Sequence, residues 1–310
     1  MSISKIRPQI VYHYCSLDTF YQIISSSTIR LSNISKSNDS EEIMYILPHV
    51  KKYCNKIFME YNSYLDEEFK IKKNSINSFF DNIFNELSLS FYVICFTEEA
   101  DLLSQWRGYA NNACGVSIGF STDCLYPLTC GISSNYNFSQ VKYSLDELYD
   151  QITVYTKEKI KKNFTNDSKK NSIVLMNIIN AIISMLLYNS VLYKNPNFSE
   201  EKEWRLIFNP FGNIRRIKDK TSYYDRMTEL FYDKLEDGGF VKNRMTFHTT
   251  DNKIISHIDL SFNDIKRLFI KEIVIGSKAQ IKDLDLELFL CSNGYNPLHI
   301  NIRNSDIPYR

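Results

Sequence analysis

The sequence predicts an α+β fold: a single mixed domain over 1–310, with helical insertions at about 42–89 and 142–195. Three observations carry that expectation. Short apolar runs with strand-like alternation recur from Ile10 to Ile302. Stretches with helical spacing and charged faces lie between them. No repeat, low-complexity tract or long linker divides the chain, and 310 residues with 44% hydrophobic and 14% aromatic content are ample for a packed core.

The elements follow in order. Ile10 to Tyr14 is β-branched and aromatic, hence a strand, and Ser16 is placed to cap a helix whose apolar residues Leu17, Phe20, Tyr21 and Ile24 keep helical spacing. Thr28 to Leu31 returns as a short strand, followed by a polar loop over Ser32 to Ser40. Glu42 to about Leu89 reads as charged helix, Ser90 to Phe96 as strand, Asp101 to Ala110 as a short helix and Gly115 to Phe120 as strand. Lys142 to Tyr193 predicts two long helices joined by a polar linker, Asn163 to Asn171. Trp204 to Phe208, Arg244 to His248, Ile254 to Leu260 and Ile270 to Ile275 read as strands, then a helix near Lys282 to Asn293 and a strand from Leu298 to Ile302.

Composition excludes some functions. Lys and Arg number 37 against 36 Asp and Glu, a net charge of +1, so general binding to nucleic-acid phosphates is not expected. Seven cysteines with no CxxC pair point to reduced thiols in a cytoplasmic protein, and five scattered histidines offer no zinc cluster, so no metal is expected. Basic residues in Met1 to Pro8 precede no apolar stretch, so no signal peptide is expected. Ile173 to Tyr193 has the length of a membrane span, but Asn177, Asn180, Ser184 and Asn189 interrupt it, which favours a buried helix and no membrane partner.

Four clusters carry chemistry. His13 lies in the first strand, as a core histidine or as a hydrogen-bonding group facing a polar ligand. Trp106 and Tyr109 share a helix face with Arg107 between them in sequence, either as core or as an aromatic platform for a nucleotide or nicotinamide ring. The glycines at 115 and 119 that follow permit close approach of a ligand or of another backbone. Asn38-Asp39 with Glu41-Glu42 reads as a turn and helix start, or as a ligand contact. Ser199 to Phe208 crowds Glu200, Glu201 and Glu203 at the entry to a strand, where like charges repel. Alternation puts Glu203 and Arg205 on one face, with Glu201 joining them if the strand extends back that far.

The ordered motifs are Tyr12-His13-Tyr14, Asn38-Asp39-x-x-Glu42, Cys95-Phe96-Thr97-Glu98, Trp106-x-x-Tyr109-Ala110, Gly115-x-x-Ile118-Gly119-Phe120, Glu201-Lys202-Glu203-Trp204-Arg205, Ile273-x-Ile275-Gly276 and Ile307-Pro308-Tyr309-Arg310. In this order they resemble the bacterial family catalogued as domain of unknown function 2971, from about Val11 to Arg310. The chain departs from that pattern at Ser40 and Ser277, where proline is common, and at Gln105, where an apolar residue is usual. More remotely, the layout is similar to ADP-ribosyltransferases. That resemblance implies a central split β-sheet and NAD as co-substrate. It gives His13 a contact to the ribose and Trp106 or Tyr109 a stacking role on nicotinamide. Glu203 becomes the catalytic carboxylate, with Glu201 its upstream partner. Arg107, Asn38, Asp39 and Arg205 complete the expected cofactor-binding set. A carboxylate near the ribose would stabilise an oxocarbenium-like state.

The leading expectation is therefore an NAD-consuming ADP-ribosyltransferase-like enzyme, an intracellular bacterial effector or phage-defence toxin, with a nucleotide-type small molecule as partner. A second reading is a Mg²⁺-dependent nuclease using Glu200-x-Lys202 with Asp39 and Glu42, weakened because that element precedes the strand instead of lying in it. A third is a non-enzymatic sensor or interaction protein, with the helices between Lys142 and Tyr193 as docking surface.

Overall fold

Period-two side-chain alternation writes two different faces onto one sheet, and the pairing register shows which residues share each face. The computed structural model describes residues 7–34, 40–72, 91–129, 135–209, 235–237, 239–242, 245–250 and 253–308. Its strands are β1 (Ile10–Cys15), β2 (Thr28–Asn33), β3 (Tyr92–Thr97), β4 (Val116–Ser121), β5 (Tyr136–Gln140), β6 (Glu203–Phe208), β7 (Leu235–Asp237), β8 (Phe240–Lys242), β9 (Thr246–Thr250), β10 (Lys253–Ser261), β11 (Ile270–Ile275) and β12 (Asn301–Asn304). The longer helices are α1 (Leu17–Ser26), α2 (Ser40–Asn62), α3 (Leu103–Tyr109), α4 (Asp146–Asn163), α5 (Ser168–Asn189) and α6 (Asp283–Ser292).

The fold is mixed α/β around an open, mixed sheet of twelve strands among the described residues. Its path runs β12-β11-β4-β1-β3-β2-β10-β8-β7, with β6 and β5 branching from β3 and β9 pairing β10. The chain forms two compact units. The first comprises 1–33, 92–140 and 200–310 and contains the sheet; the second comprises 34–91 and 141–199.

In the first unit Ser16 caps α1, its hydroxyl accepting from the Thr19 amide at 3.2 Å. α1 buries Phe20, Ile23 and Ile24. Together with Leu286 and Leu290 of α6, these residues join a core formed by Val11, Cys15, Ile94, Phe96, Val116, Ile118, Leu206 and Ile273. By register these strand residues share one side of the sheet, the core face. The last strand begins later than alternation predicts, because Asn296 and Pro297 nucleate a single helical turn, Pro297–His299, before it. β5, with its polar Tyr-Asn-Phe-Ser-Gln sequence, was not anticipated.

β3 is where the sheet forks. β6 pairs one edge along its whole length, Tyr92 opposite Phe208 through Thr97 opposite Glu203. Two strands share the other edge: β2 pairs Tyr92 and Val93, and β1 pairs Thr97 through Tyr12.

In the second unit α2 buries Ile46, Val50, Cys54, Ile57 and Phe58, α4 buries Leu148 and Ile152, and α5 buries Leu175, Ile178, Ile179, Ile182, Ile183 and Leu186. Each set keeps helical spacing. Ser168–Leu192 is long and apolar enough to cross a bilayer, and a little under half of its most apolar stretch is buried. Cys15 and Cys54 are buried free thiols, and burial pushes both up to about 12, far from the reactive thiolate.

Candidate functional site

The anticipated site residues fall on opposite sides of the sheet. Thr97 stands opposite both Tyr12 and Glu203, so these three share a face, and so do Tyr14, Cys95 and Arg205. This is the polar face. His13, one residue out of phase with Tyr12, belongs to the core face with Phe96 and Trp204, and its ring meets Phe96 edge-on at 6.1 Å.

On the polar face Glu203 and Arg205 are almost wholly buried and joined bidentately, Nε to Oε1 at 2.6 Å and Nη2 to Oε2 at 3.2 Å. Such a pair neutralises itself, which lets a strand buried on both faces carry two charges. Nearby, Tyr12 donates to Glu272 Oε2 at 2.6 Å, while Arg303 Nε and Asn301 Nδ2 donate to Glu272 Oε1 at 2.8 and 3.1 Å. Burial, then the bond to Glu272, pushes the Tyr12 phenol well above its ordinary value. Trp106 has no exposed surface; its indole N–H donates to Asp101 at 2.6 Å and its ring meets Tyr14 edge-on at 4.8 Å. A ring so enclosed offers no face for nicotinamide. Arg107 and Tyr109 are exposed on α3, Tyr109 by 46%.

Glu201 does not reach the strand. It ends the turn Pro196–Glu201, and Lys202 adopts a left-handed backbone (φ 42°) that breaks the alternation before β6 begins at Glu203. Lys202 instead forms an ion pair with Glu99. Asn38 and Asp39 lie outside the described residues. The glycines of β4 and its approach receive protein: a Cβ on Gly115 would stand 2.0 Å from the Cys15 carbonyl oxygen, and one on Gly119 would stand 2.9 Å from the Ile10 and Tyr12 side chains.

The core face supplies a second set of polar groups at the fork. β1 leaves β3 after Tyr12, and His13 Nδ1 donates to the Cys95 carbonyl at 2.9 Å, where a continuing neighbour strand would otherwise have bonded. A carbonyl only accepts, so Nδ1 carries the proton and Nε2 presents a lone pair. Burial holds the His13 imidazole below its usual range, so it is neutral in this tautomer.

Alternation from Phe96 puts Glu98 on this same face, just past the end of β3. Both Trp204 Nε1 (2.8 Å) and Gln140 Nε2 (2.9 Å) donate to its Oε1. The rings of Phe96, Phe138 and Trp204 connect the two ends of the cluster: Phe96 lies 6.2 Å from Phe138, which stacks on Trp204 at 5.2 Å. Glu98, Trp204 and Gln140 were given no role from sequence. The available signal was Cys95-Phe96-Thr97-Glu98 itself, since a carboxylate two residues beyond a core phenylalanine is directed to an apolar face.

Chemically, the two faces differ. The polar face holds carboxylates closed by guanidinium groups. The core face presents a neutral imidazole acceptor and a carboxylate oriented by uncharged N–H donors, beside an aromatic stack.

Among the described residues no three His, Cys, Asp or Glu side chains gather as a metal site. No curated protein and no solved structure matches the chain. Residues 105–206, about a third of the 310-residue chain, match the model of a family described as protein of unknown function, DUF2971; that stretch carries Trp106, Tyr109, Gln140, Glu203, Trp204 and Arg205.

Proposed function

We propose that this protein is an NAD-consuming, ADP-ribosyltransferase-like enzyme working at the fork of its sheet, with Glu98 in the carboxylate role first expected of Glu203. The observation that carries this reading is the arrangement on the core face, where the hydrogen bonds to Glu98 come from the uncharged Trp204 and Gln140, with Lys202 engaging Glu99 and acting on Glu98 only through its charge, and where His13 Nε2 is an acceptor. In the proposed step the bond from ribose C1′ to the nicotinamide nitrogen breaks and its electron pair leaves with nicotinamide. The ribosyl cation is then met by water or an acceptor nucleophile. A carboxylate hydrogen-bonded by neutral donors keeps more of its charge toward that cation than Glu203, which Arg205 closes in a bidentate pair. His13 Nε2 suits a ribose hydroxyl, which can donate to it. The reading places the enzyme on the cytoplasmic NAD pool, where toxicity on expression would fit a defence or effector role.

The test is nicotinamide release and label transfer from labelled NAD in the presence of bacterial lysate. Turnover by the wild type is expected, with a loss of roughly 10²-fold or more in Glu98→Gln, the scale of removing one electrostatic group from a transition state. Absence of both release and transfer, or a Glu98→Gln variant as fast as wild type, overturns the proposal. Binding of NAD without turnover would favour the sensor reading.

A further inference from the structure

Two imidazoles meet on the β9–β10 hairpin, away from the groups just described. The strands pair with Ile255 opposite His248 and His257 opposite Thr246, so His248 and His257 are diagonal neighbours on one face. Their Nδ1 atoms are 3.3 Å apart and their ring centroids 5.2 Å apart. His257 is 2% exposed, while His248 is only partly buried and reachable from solvent. The other nitrogen of His257, Nε2, is fixed against the Thr246 hydroxyl at 2.7 Å.

That geometry admits two occupants of the gap. A single proton could be shared, though 3.3 Å is long for such a bond, which usually falls near 2.9–3.0 Å. Alternatively a cation could take both lone pairs. Two nitrogens each about 2.0–2.1 Å from a tetrahedral zinc ion are themselves about 3.3–3.4 Å apart. The Thr246 contact supplies what metal-bound histidines ordinarily have, a partner on the far nitrogen that fixes tautomer and ring orientation. The nearest fixed charges offset each other: Arg30 is held bidentately by Asp259 at 2.9 and 3.1 Å.

We propose that His248 and His257 form a binding site for a divalent transition ion of the zinc, nickel or copper class, each ligating through Nδ1. Among the described residues no third His, Cys, Asp or Glu joins them. The ion therefore keeps coordination positions for water or an external ligand, and affinity is modest compared with a closed structural zinc site.

The experiment is calorimetric titration of the chelator-stripped full chain with zinc and with nickel, comparing wild type, His248→Ala and, as control, His299→Ala at an exposed histidine elsewhere in the chain. Copper-loaded protein is also examined by electron spin-echo spectroscopy for imidazole nitrogens. One ion per chain is expected, with affinity reduced about tenfold or more in His248→Ala and unchanged in His299→Ala, and with two imidazoles on copper. Because His248 is partly exposed, its alanine variant should keep the wild-type circular dichroism; His248→Gln provides a second variant if it does not. Failure of the wild type to bind, or equal affinity in wild type and both His248 variants, overturns the site.

Discussion

The two faces of the sheet handle charge in opposite ways. On the polar face Glu203 meets Arg205 and Glu272 meets Arg303, each carboxylate receiving a guanidinium. On the core face Glu98 receives two uncharged donors, Trp204 and Gln140, and His13 is a neutral base tied at one nitrogen. A buried charge must be compensated, and a partner that compensates it completely also consumes it. The contrast teaches where to look for chemistry: a carboxylate aimed by neutral hydrogen-bond donors is better suited to act on a ligand than one locked in a bidentate ion pair.

The largest expected effect tests that contrast directly. Arg205→Ala or Glu203→Ala strands a buried charge and should cost about 3–5 kcal/mol in urea unfolding. Glu98→Gln keeps an acceptor for Trp204 and Gln140 and should cost no more than about 1 kcal/mol. Equal losses for Glu98→Gln and Glu203→Ala would erase the distinction between the faces.

A middle-sized effect is expected at Tyr12. Tyr12→Phe removes the donor to Glu272 Oε2 without changing the ring, and should lower stability by about 1–3 kcal/mol. A neutral result would show that the polar network is looser than its short bonds suggest.

The smallest effect is a pH slope. The His13 imidazole titrates below 6.5 when folded, so below pH 6.5 the unfolded chain binds the proton more readily. Its contribution to stability is complete above that pH and is lost as pH falls toward the folded value, at no more than about 1.4 kcal/mol per pH unit. His13→Gln can keep a donor for the Cys95 carbonyl and should flatten this part of the acid-side slope in denaturation measured from pH 7 to 5. An unchanged slope would mean that the imidazole is not held neutral at the fork.

Local signals in the sequence located much of the fold. Ser16 announced the start of α1, alternation found β1, β3, β4, β6 and β11, and the Glu203–Arg205 face-sharing follows from spacing alone. The sides of the sheet were not legible. Placing His13 opposite in sense to Glu203 requires the registers of Tyr12 with Thr97 and of Thr97 with Glu203, pairings between segments distant in sequence. β5 escaped notice because its alternation sets Tyr136 and Phe138 among Asn, Ser and Gln, a weak contrast. The enclosure of Trp106 depended on Asp101 and Tyr14, which helical spacing within α3 does not reveal.

The fork also sets the order in which the molecule can be completed during synthesis. β2 pairs β10 through Ser32 opposite His257, partners separated by some 225 residues, with both segments of the second unit emerging between them. At about 5–20 residues per second, the outer edge of β2 waits roughly 10–45 s on the ribosome for its neighbour. During that interval Ile29 and Leu31, fully buried in the finished protein, lack the strand that will cover them. A nascent chain stalled before β10 should therefore be more prone to aggregation and more dependent on chaperones than the finished protein.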